Sequence, residues 1–253
     1  MKDIRKIKVM FAPCSARVYG LIYEPEREED RNDTAVILCH GYNSCMQDLD
    51  DIALALSGEG YTALVFDFRG GGNRCTSMGK TTEMSLKTEV LDCEDAIGFI
   101  RRTRPEQSKK LYLYGESQGG LVASLTGVSM QDKISGLFLL YPAFCIPEDM
   151  KSVDFGQNDT LNLMNMEISR KYIDELPAFD VFDMMKFFSL PITIAHGDKD
   201  PIVRLSYSEK LYRQQKALGC DITLDVFENE THGFSPDARA RWRELVLKRL
   251  KGE

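Results

Sequence analysis

Short apolar runs alternate with stretches of helical spacing along most of the chain, and this alternation restricts the possible folds more than any other sequence feature. Apolar runs typical of buried strands occupy residues 35–40, 61–68, 110–115, 136–142, 191–197 and 221–227. Helical spacing occupies residues 48–58, 83–102, 121–129, about 204–217, and a final helix that opens at Ser235. This order predicts an α/β fold in which helices cover both faces of a mostly parallel sheet.

Two segments depart from the alternation. Residues 6–12 and 17–23 carry β-branched and aromatic residues around a Pro-Cys-Ser turn at 13–15, which predicts a β-ribbon. Residues 143–188 contain no clear strand and hold five of the eleven methionines. We therefore expect a single domain over residues 1–253, with a helical lid insertion over the carboxyl edge of the sheet, where ligands bind in such folds. The alternative is that the apolar residues of the insertion only pack it onto the body.

Composition and charge exclude several classes of protein. Hydrophobic residues make up 43% and charged residues 28% of the 253-residue chain, as is ordinary for a folded protein. The net charge of −7 argues against nucleic acid as the partner, because binding to phosphates needs a basic surface. No apolar run approaches the ~20 residues that span a membrane, and the first residues do not resemble a secretory signal. The seven cysteines include no CxxC pair, so we expect no metal, no cofactor and a reducing cytoplasmic location.

The segment Gly-Glu-Ser-Gln-Gly-Gly at residues 115–120 is the strongest chemical motif in the chain. It follows the predicted strand at 110–115 and precedes the predicted helix at 121–129. A nucleophile on a sharp strand-to-helix turn needs small neighbours, because the backbone is strained and other chain segments approach it closely. The motif predicts that Ser117 is a nucleophile and that the backbone N–H of Gln118 faces a developing oxyanion.

A serine hydroxyl needs a base to take its proton, and histidine is the usual base near neutral pH. The chain has three histidines, His40, His196 and His232. Proteins that carry a serine on such a turn place the acid and then the histidine after it. Only His196 and His232 follow Ser117. His232 leaves room for an acid between itself and the serine, so His232 is the predicted base.

The predicted acid lies in the loop after the strand at 191–197. Two aspartates compete there, Asp198 and Asp200. We choose Asp200, because the turn that follows it can direct its carboxylate at the base, where an acid holds the imidazole tautomer. We expect Asp198 to bond backbone N–H groups of its loop.

A second oxyanion donor is expected after the strand at 35–40. The loop there begins His40-Gly41-Tyr42. Gly41 allows a tight turn, after which the N–H of Tyr42 can face the same oxygen as that of Gln118. The alternative is a plain strand-ending turn.

These motifs together resemble the α/β-hydrolase superfamily from about residue 34 to residue 250. Within it, the turn at 40–42, the elbow at 115–120 and the insertion are similar to those of small bacterial cinnamoyl and feruloyl esterases. The resemblance implies an α/β-hydrolase fold and hydrolysis of carboxylic esters through an acyl-enzyme. Glu116 departs from the pattern, because a histidine is common at this place in that group.

The resemblance also implies particular site residues. These are a triad of Ser117, Asp200 and His232, with oxyanion donors at Tyr42 and Gln118. Residues that bind substrate are expected in the insertion, but the sequence does not identify them.

The predicted site is compatible with several functions. The leading hypothesis is a serine carboxylesterase whose partner is a small or aromatic small-molecule acyl ester. The same triad would serve a monoacylglycerol or lysophospholipid lipase, a thioesterase or an acylaminoacyl-peptidase-like hydrolase. A non-catalytic binding protein on the same fold is a third hypothesis, although every triad and oxyanion position holds a competent residue. The choice between a monomer and a homodimer is open.

Overall fold

The strands predicted from the apolar runs are present, and all of them join one sheet. The computed structural model describes residues 2–12 and 16–252. Its strands are Ile4–Phe11 (β1), Val18–Pro25 (β2), Thr34–Cys39 (β3), Thr62–Phe66 (β4), Lys110–Glu116 (β5), Gly136–Leu140 (β6), Thr160–Leu163 (β7), Met166–Ser169 (β8), Ile192–Gly197 (β9) and Ile222–Phe227 (β10).

The main sheet has the strand order β1-β2-β4-β3-β5-β6-β9-β10. Strand β2 is antiparallel to both β1 and β4, and every neighbouring pair from β4 to β10 is parallel. The mostly parallel sheet and the N-terminal ribbon are therefore confirmed. The turn predicted at residues 13–15 lies outside the described residues.

Helices cover both faces of this sheet, as predicted. They are Asp50–Gly58 (α1), Leu86–Thr103 (α2), Gln118–Ser129 (α3), Ile146–Asp149 (α4), Arg170–Asp174 (α5), Val181–Met185 (α6), Leu205–Ala217 (α7) and Pro236–Lys251 (α8). Apolar residues of α1 and α8 pack in one core layer, and those of α2, α3 and α7 pack in the other. Over residues 2–12 and 16–252, no helix is both long enough and apolar enough to cross a membrane.

Strand β3 illustrates why the sheet is buried on both sides. All of its residues are buried, and successive side chains enter opposite core layers. Ile37 and Cys39 pack in one layer, whereas Val36 and Leu38 pack in the other, as the two-residue period of a strand requires. Because parallel strands point the same way, the loops that follow β3, β5 and β9 all emerge at one edge. The predicted site loops are therefore neighbours.

The insertion at residues 143–188 is only partly helical. It contains the short helices α4, α5 and α6, but also the antiparallel hairpin formed by β7 and β8. The expectation that this segment holds no strand is therefore wrong. The two turn residues Met164 and Asn165 both have positive φ angles, 46° and 64°, which two-residue hairpin turns require. Methionine is an unusual residue for such a turn, which hid the hairpin in the sequence.

Helix α3 begins against the end of β3, and glycine makes this approach possible. A Cβ atom added to Gly119 would lie 2.2 Å from the carbonyl oxygen of Cys39 and 2.4 Å from that of His40. Both contacts are far shorter than non-bonded atoms tolerate, and both partners are backbone. The junction of β5 and α3 is therefore pressed directly onto the β3 loop.

We expect Gly119→Ala to lower the free energy of unfolding by about 3 kcal/mol, because backbone must move to admit the methyl group. Gly98→Ala is the matched control, since Gly98 lies in α2 and a Cβ atom added there would meet no neighbouring segment within 4 Å. That change should raise stability by about 1 kcal/mol through helix propensity. Chemical denaturation of both variants measures the difference, and equal stabilities would contradict this account of the junction.

Candidate active site

Ser117 occupies the strained turn between β5 and α3. Its backbone angles are φ 54° and ψ −120°, a conformation that L-residues rarely adopt and that surrounding structure must enforce. The turn is held by the N–H of Ser117, which donates to the carbonyl of Leu140, and by the carbonyl of Ser117, which accepts from Ala143 N–H. The side chain is only partly buried. The hydroxyl therefore projects from the carboxyl edge of the sheet into an accessible space.

A continuous row of hydrogen bonds joins the three residues predicted as a triad. The distance from Ser117 Oγ to His232 Nε2 is 3.0 Å, and that from His232 Nδ1 to Asp200 Oδ2 is 2.7 Å. A carboxylate only accepts hydrogen bonds, so Nδ1 carries the ring proton and Nε2 accepts from the serine hydroxyl. This is the tautomer that a general base needs.

Asp200 is fixed by donors on both of its oxygens. Oδ1 accepts the N–H groups of Ile202 and Val203, each at 2.9 Å. Oδ2 accepts from His232 and lies 3.5 Å from Nε2 of His196. Burial alone would raise the pKa of Asp200, but these hydrogen bonds outweigh it and hold the pKa well below its usual range. The carboxylate is therefore ionised beside the imidazole near neutral pH.

Asp198, the other candidate for the acid, has a structural role. Asp198 Oδ1 accepts the N–H of Asn229 at 2.6 Å, and so it connects the loop after β9 to the loop that carries His232. This contact agrees with the loop-organising role expected for Asp198.

The other two histidines are committed to structural contacts. His40 is buried, with Nδ1 2.8 Å from the carbonyl of Gly41 and Nε2 3.1 Å from the N–H of Phe68. His196 is fully buried, with Nε2 2.8 Å from the carbonyl of Val203 and Nδ1 2.8 Å from the hydroxyl of Ser208. Neither ring has a free nitrogen for proton transfer, which leaves His232 beside the serine.

The loop after β3 passes directly over Ser117. A Cβ atom on Gly41 would lie 3.3 Å from Cβ and 3.9 Å from Oγ of Ser117. The N–H of Gln118 belongs to the first residue of α3, so it has no partner within the helix. The structure thus places Tyr42 and Gln118, the predicted oxyanion donors, on the two backbone segments that flank the serine hydroxyl.

Among the described residues, three possible metal ligands come together near this loop. Ligand atoms of His40, Asp67 and Cys75 lie within 4.8 Å of one another. The two oxygens of Asp67 accept backbone N–H groups at 2.8 and 2.7 Å, and Nε2 of His40 accepts another. The donor set is therefore occupied by contacts that shape the loop, and we assign it a structural role.

A cavity of about 420 Å³ opens beside Ser117 and His232. Its walls come from the β3 loop, the elbow, the insertion and the start of the segment before α7. Most of the lining is apolar or aromatic: Tyr42, Tyr141, Ala143, Cys145, Ile146, Met150, Leu163, Met164, Tyr172, Ile202 and Val203. Two carboxylates, Glu116 and Asp149, also line it, whereas no lysine or arginine of the described residues does. The cavity suits an uncharged, largely apolar ligand.

The hairpin of the insertion is bonded to the loop that carries Tyr42. Tyr42 Oη donates to the carbonyl of Leu163 at 3.1 Å, and Asn43 Nδ2 donates to that of Met164 at 3.3 Å. Asn73 Nδ2 donates to the carbonyl of Asn165 at 2.7 Å. Three successive carbonyl oxygens at the tip of the hairpin therefore accept hydrogen bonds from side chains outside the insertion. The sequence gives no sign of these contacts, because residues far apart in the chain make them.

A buried relay connects the insertion to Gln118. Tyr172 Oη donates to Gln118 Oε1 and Gln118 Nε2 donates to Glu89 Oε2, each at 2.7 Å. All three side chains are buried. Burial raises the pKa of Glu89 to about 8, although the hydrogen bond from Gln118 opposes the shift. The relay fixes the side chain of the residue whose N–H flanks Ser117.

Replacement of Glu89 by glutamine should remove a pH dependence of stability. The pKa of Glu89 is higher in the folded chain than its ordinary value of 4.5, so between these pH values the folded state binds more protons than the unfolded state. The unfolding free energy of the wild type should therefore fall, relative to Glu89→Gln, by up to about 1.4 kcal/mol per pH unit as the pH rises from about 5 to 8. Urea denaturation across this range measures the difference, and parallel curves would contradict the account.

Comparisons with known proteins identify the family of the chain. Residues 30–179 match the family described as serine aminopeptidase, S33. Caffeoylshikimate esterase of Arabidopsis thaliana is 25% identical, with 99% of this chain and 85% of that protein covered. The uncharacterized peptidase YtmA of Bacillus subtilis is 21% identical, with 95% and 91% covered.

Among solved structures, Est1E from Butyrivibrio proteoclasticus with bound ferulic acid has a similar fold. The TM-score is 0.84 at 21% identity, and the alignment covers 96% of this chain and 100% of the Est1E chain.

Proposed function

The chain belongs to the serine aminopeptidase S33 family of α/β-hydrolases, and from that premise we propose that it is a serine carboxylesterase that works through an acyl-enzyme. The observation that carries the proposal is the row of hydrogen bonds from Ser117 through His232 to Asp200 beside an apolar cavity. This arrangement contains a nucleophile, a base in hydrogen-bond reach and a group that orients the base.

The first half of the proposed reaction forms the acyl-enzyme. Ser117 Oγ attacks the ester carbonyl while His232 Nε2 takes the hydroxyl proton, and ionised Asp200 stabilises the imidazolium. The carbonyl oxygen becomes an oxyanion that accepts the N–H groups of Tyr42 and Gln118. The imidazolium then returns its proton to the alcohol oxygen as the carbon–oxygen bond breaks.

The second half releases the acid. Water enters beside His232, which takes one of its protons as the water oxygen attacks the acyl carbon. Collapse of the second tetrahedral intermediate breaks the bond to Ser117 Oγ, and the imidazolium protonates that oxygen. The enzyme is then restored, and one ester has become an alcohol and a carboxylic acid.

The cavity supports an uncharged acyl group of modest size. Its volume of about 420 Å³ fits a small or aromatic acyl ester, and its aromatic walls include Tyr42, Tyr141 and Tyr172. The names of two similar proteins, an esterase of a caffeoyl ester and Est1E with bound ferulic acid, point to the same class. We therefore place cinnamoyl-type esters first among the candidate substrates.

Asp200→Asn should lower kcat by about 10³–10⁴-fold with little change in stability, because an amide no longer enforces the reactive imidazole tautomer. Asp198→Asn is the matched control, since its side-chain oxygen can still accept the N–H of Asn229, and its kcat should stay within about threefold of the wild type. Hydrolysis of p-nitrophenyl acetate measures both. Similar losses in the two variants would contradict the assigned roles.

Esters that carry a carboxylate should be poor substrates. Asp149 lines the cavity, the charge of Glu116 is paired with Arg239, and no cation of the described chain lines the cavity. Methyl ferulate should therefore have a kcat/KM several-fold above that of the shikimate ester of the same acid, and Asp149→Asn should narrow the gap by on the order of fivefold. A preference for the anionic ester would contradict this. The same charge argument disfavours lysophospholipids.

Aminopeptidase activity is the second candidate, and Asp149 is the observation that favours it. An exposed carboxylate at the cavity could bind the α-ammonium group of a peptide. Alanine p-nitroanilide and p-nitrophenyl acetate separate the two functions. The esterase proposal expects hydrolysis of the ester alone, whereas a peptidase would cleave the anilide and lose that activity in Asp149→Asn.

A further inference from the structure

Glu116, the residue before Ser117, carries a buried carboxylate that receives four hydrogen bonds. Tyr114 Oη donates to Oε1 at 2.7 Å and Tyr141 Oη donates to Oε2 at 3.1 Å. Arg239 donates through Nη2 to Oε1 at 3.0 Å and through Nη1 to Oε2 at 3.1 Å. Forked pairing of this kind restricts geometry as well as contributing energy. The carboxylate is thus saturated, so it has no free position for a substrate.

Arg239 ties the elbow to the element that follows the base. It lies on α8, which begins just after the loop that carries His232. Beyond Glu116, it also donates to Asp51 of α1 through Nε at 3.1 Å and Nη2 at 3.2 Å. Arg243 on the same helix donates to Asp51 at 2.7 Å. These contacts form a network of alternating basic and acidic groups that runs from α8 to Glu116. Its two arginines and two carboxylates carry balanced charges.

Tyr141 connects this ion pair to the imidazole. Its ring centroid lies 4.4 Å from that of His232, and its hydroxyl is held by Glu116. The backbone of Tyr141 has a φ of 36°, a strained value for a bulky residue that only well-determined surroundings maintain. Because the Tyr141 ring is held at its hydroxyl end, it restricts movement of the imidazole on the side where the two rings meet.

We propose that Glu116 and Arg239 are positioning residues that fix the nucleophile and the base relative to each other. Tyr141 provides the contact between this ion pair and the imidazole. Ser117 and His232 lie on separate segments whose direct link is the hydrogen bond that breaks during the reaction. The buried ion pair provides a second link that the reaction leaves intact. This inference rests on the proposed function, and it assigns a role to the residue that departs from the histidine common in similar esterases.

The first test separates kcat from KM. Arg239→Gln and Glu116→Gln should each lower kcat for p-nitrophenyl acetate by about 10–100-fold while KM changes less than about threefold, because misalignment of the base affects the chemical step. Arg241→Gln is the matched control. Arg241 lies on the same helix, is exposed and contacts the ring of Phe227 instead, so its kcat should stay near that of the wild type.

The second test uses the acid limb of the pH profile of kcat/KM. If Glu116 and Arg239 had a purely structural role, their single variants would not shift this limb in opposite directions. The groups facing His232 are Asp200, Ser117 and Tyr141, and behind Tyr141 lie Glu116 and Arg239. Glu116→Gln leaves Arg239 and Arg243 with only the carboxylate of Asp51. The resulting net positive charge disfavours the protonated imidazole and moves the acid limb to lower pH. Arg239→Gln leaves the carboxylate and moves the limb to higher pH, each by on the order of half a pH unit.

Removal of both charged groups gives the third test. In the double variant Glu116→Gln/Arg239→Gln the acid limb should return to its wild-type position, while kcat should be no lower than in the worse single variant. Arg239→Lys covers the case in which a glutamine variant does not fold. It keeps the charge but loses the fork, so kcat should fall without a shift of the acid limb.

Titration of the His232 ring by NMR repeats the charge test without a substrate. The chain has only three histidines, and the other two are buried. The titration midpoint of His232 should shift in opposite directions in the two single variants. If the wild type hydrolyses no ester, the proposed function fails while this titration still decides whether the ion pair acts on His232.

Two results would overturn the inference. One is a folded Arg239→Gln protein whose kcat matches that of Arg241→Gln. The other is a pair of single variants whose His232 midpoints do not move, or move in the same direction.

Discussion

The rest of the site depends on the close approach of the β5–α3 junction to the loop after β3. Gly119 lets these backbones touch, which leaves Ser117 in a conformation that its own preferences oppose. The same approach brings the segment with Tyr42 beside the serine hydroxyl, where the N–H of Gln118 at the start of α3 also lies. Nucleophile and oxyanion donors therefore arise from one packing constraint, and the base and acid need only reach that point from neighbouring strand ends.

Much of the fold followed from local pattern. The apolar runs and the predicted N-terminal ribbon together account for every strand of the main sheet. The helical spacing predicts α1, α2, α3, α7 and α8 to within a few residues. The α/β-hydrolase resemblance is confirmed by the family match and by the sheet order. Ser117, Asp200 and His232 could be chosen because a strand-end turn and a fixed chain order limit the candidates. Their catalytic roles, and the division into one domain with an insertion at 143–188, stay predictions.

The features that were missed depend on contacts between distant parts of the chain. The hairpin of β7 and β8 turns on Met164, a residue without turn preference, and body residues such as Asn73 hold it in place. The relay from Tyr172 through Gln118 to Glu89 and the pair of Glu116 with Arg239 join segments that only the folded sheet brings together. The resemblance to cinnamoyl and feruloyl esterases marked Glu116 as a departure, but the sequence could not identify its partner.

The central claim is that Ser117 is an activated nucleophile. Its most direct test is covalent labelling of the folded protein by a fluorophosphonate, followed by peptide mapping. A reactive serine depends on the native arrangement of Ser117, His232 and Asp200, so the account predicts a single adduct on Ser117 that disappears after denaturation or in His232→Gln. A folded protein that acquires no adduct, or acquires one elsewhere while Ser117 stays unmodified, would contradict the claim.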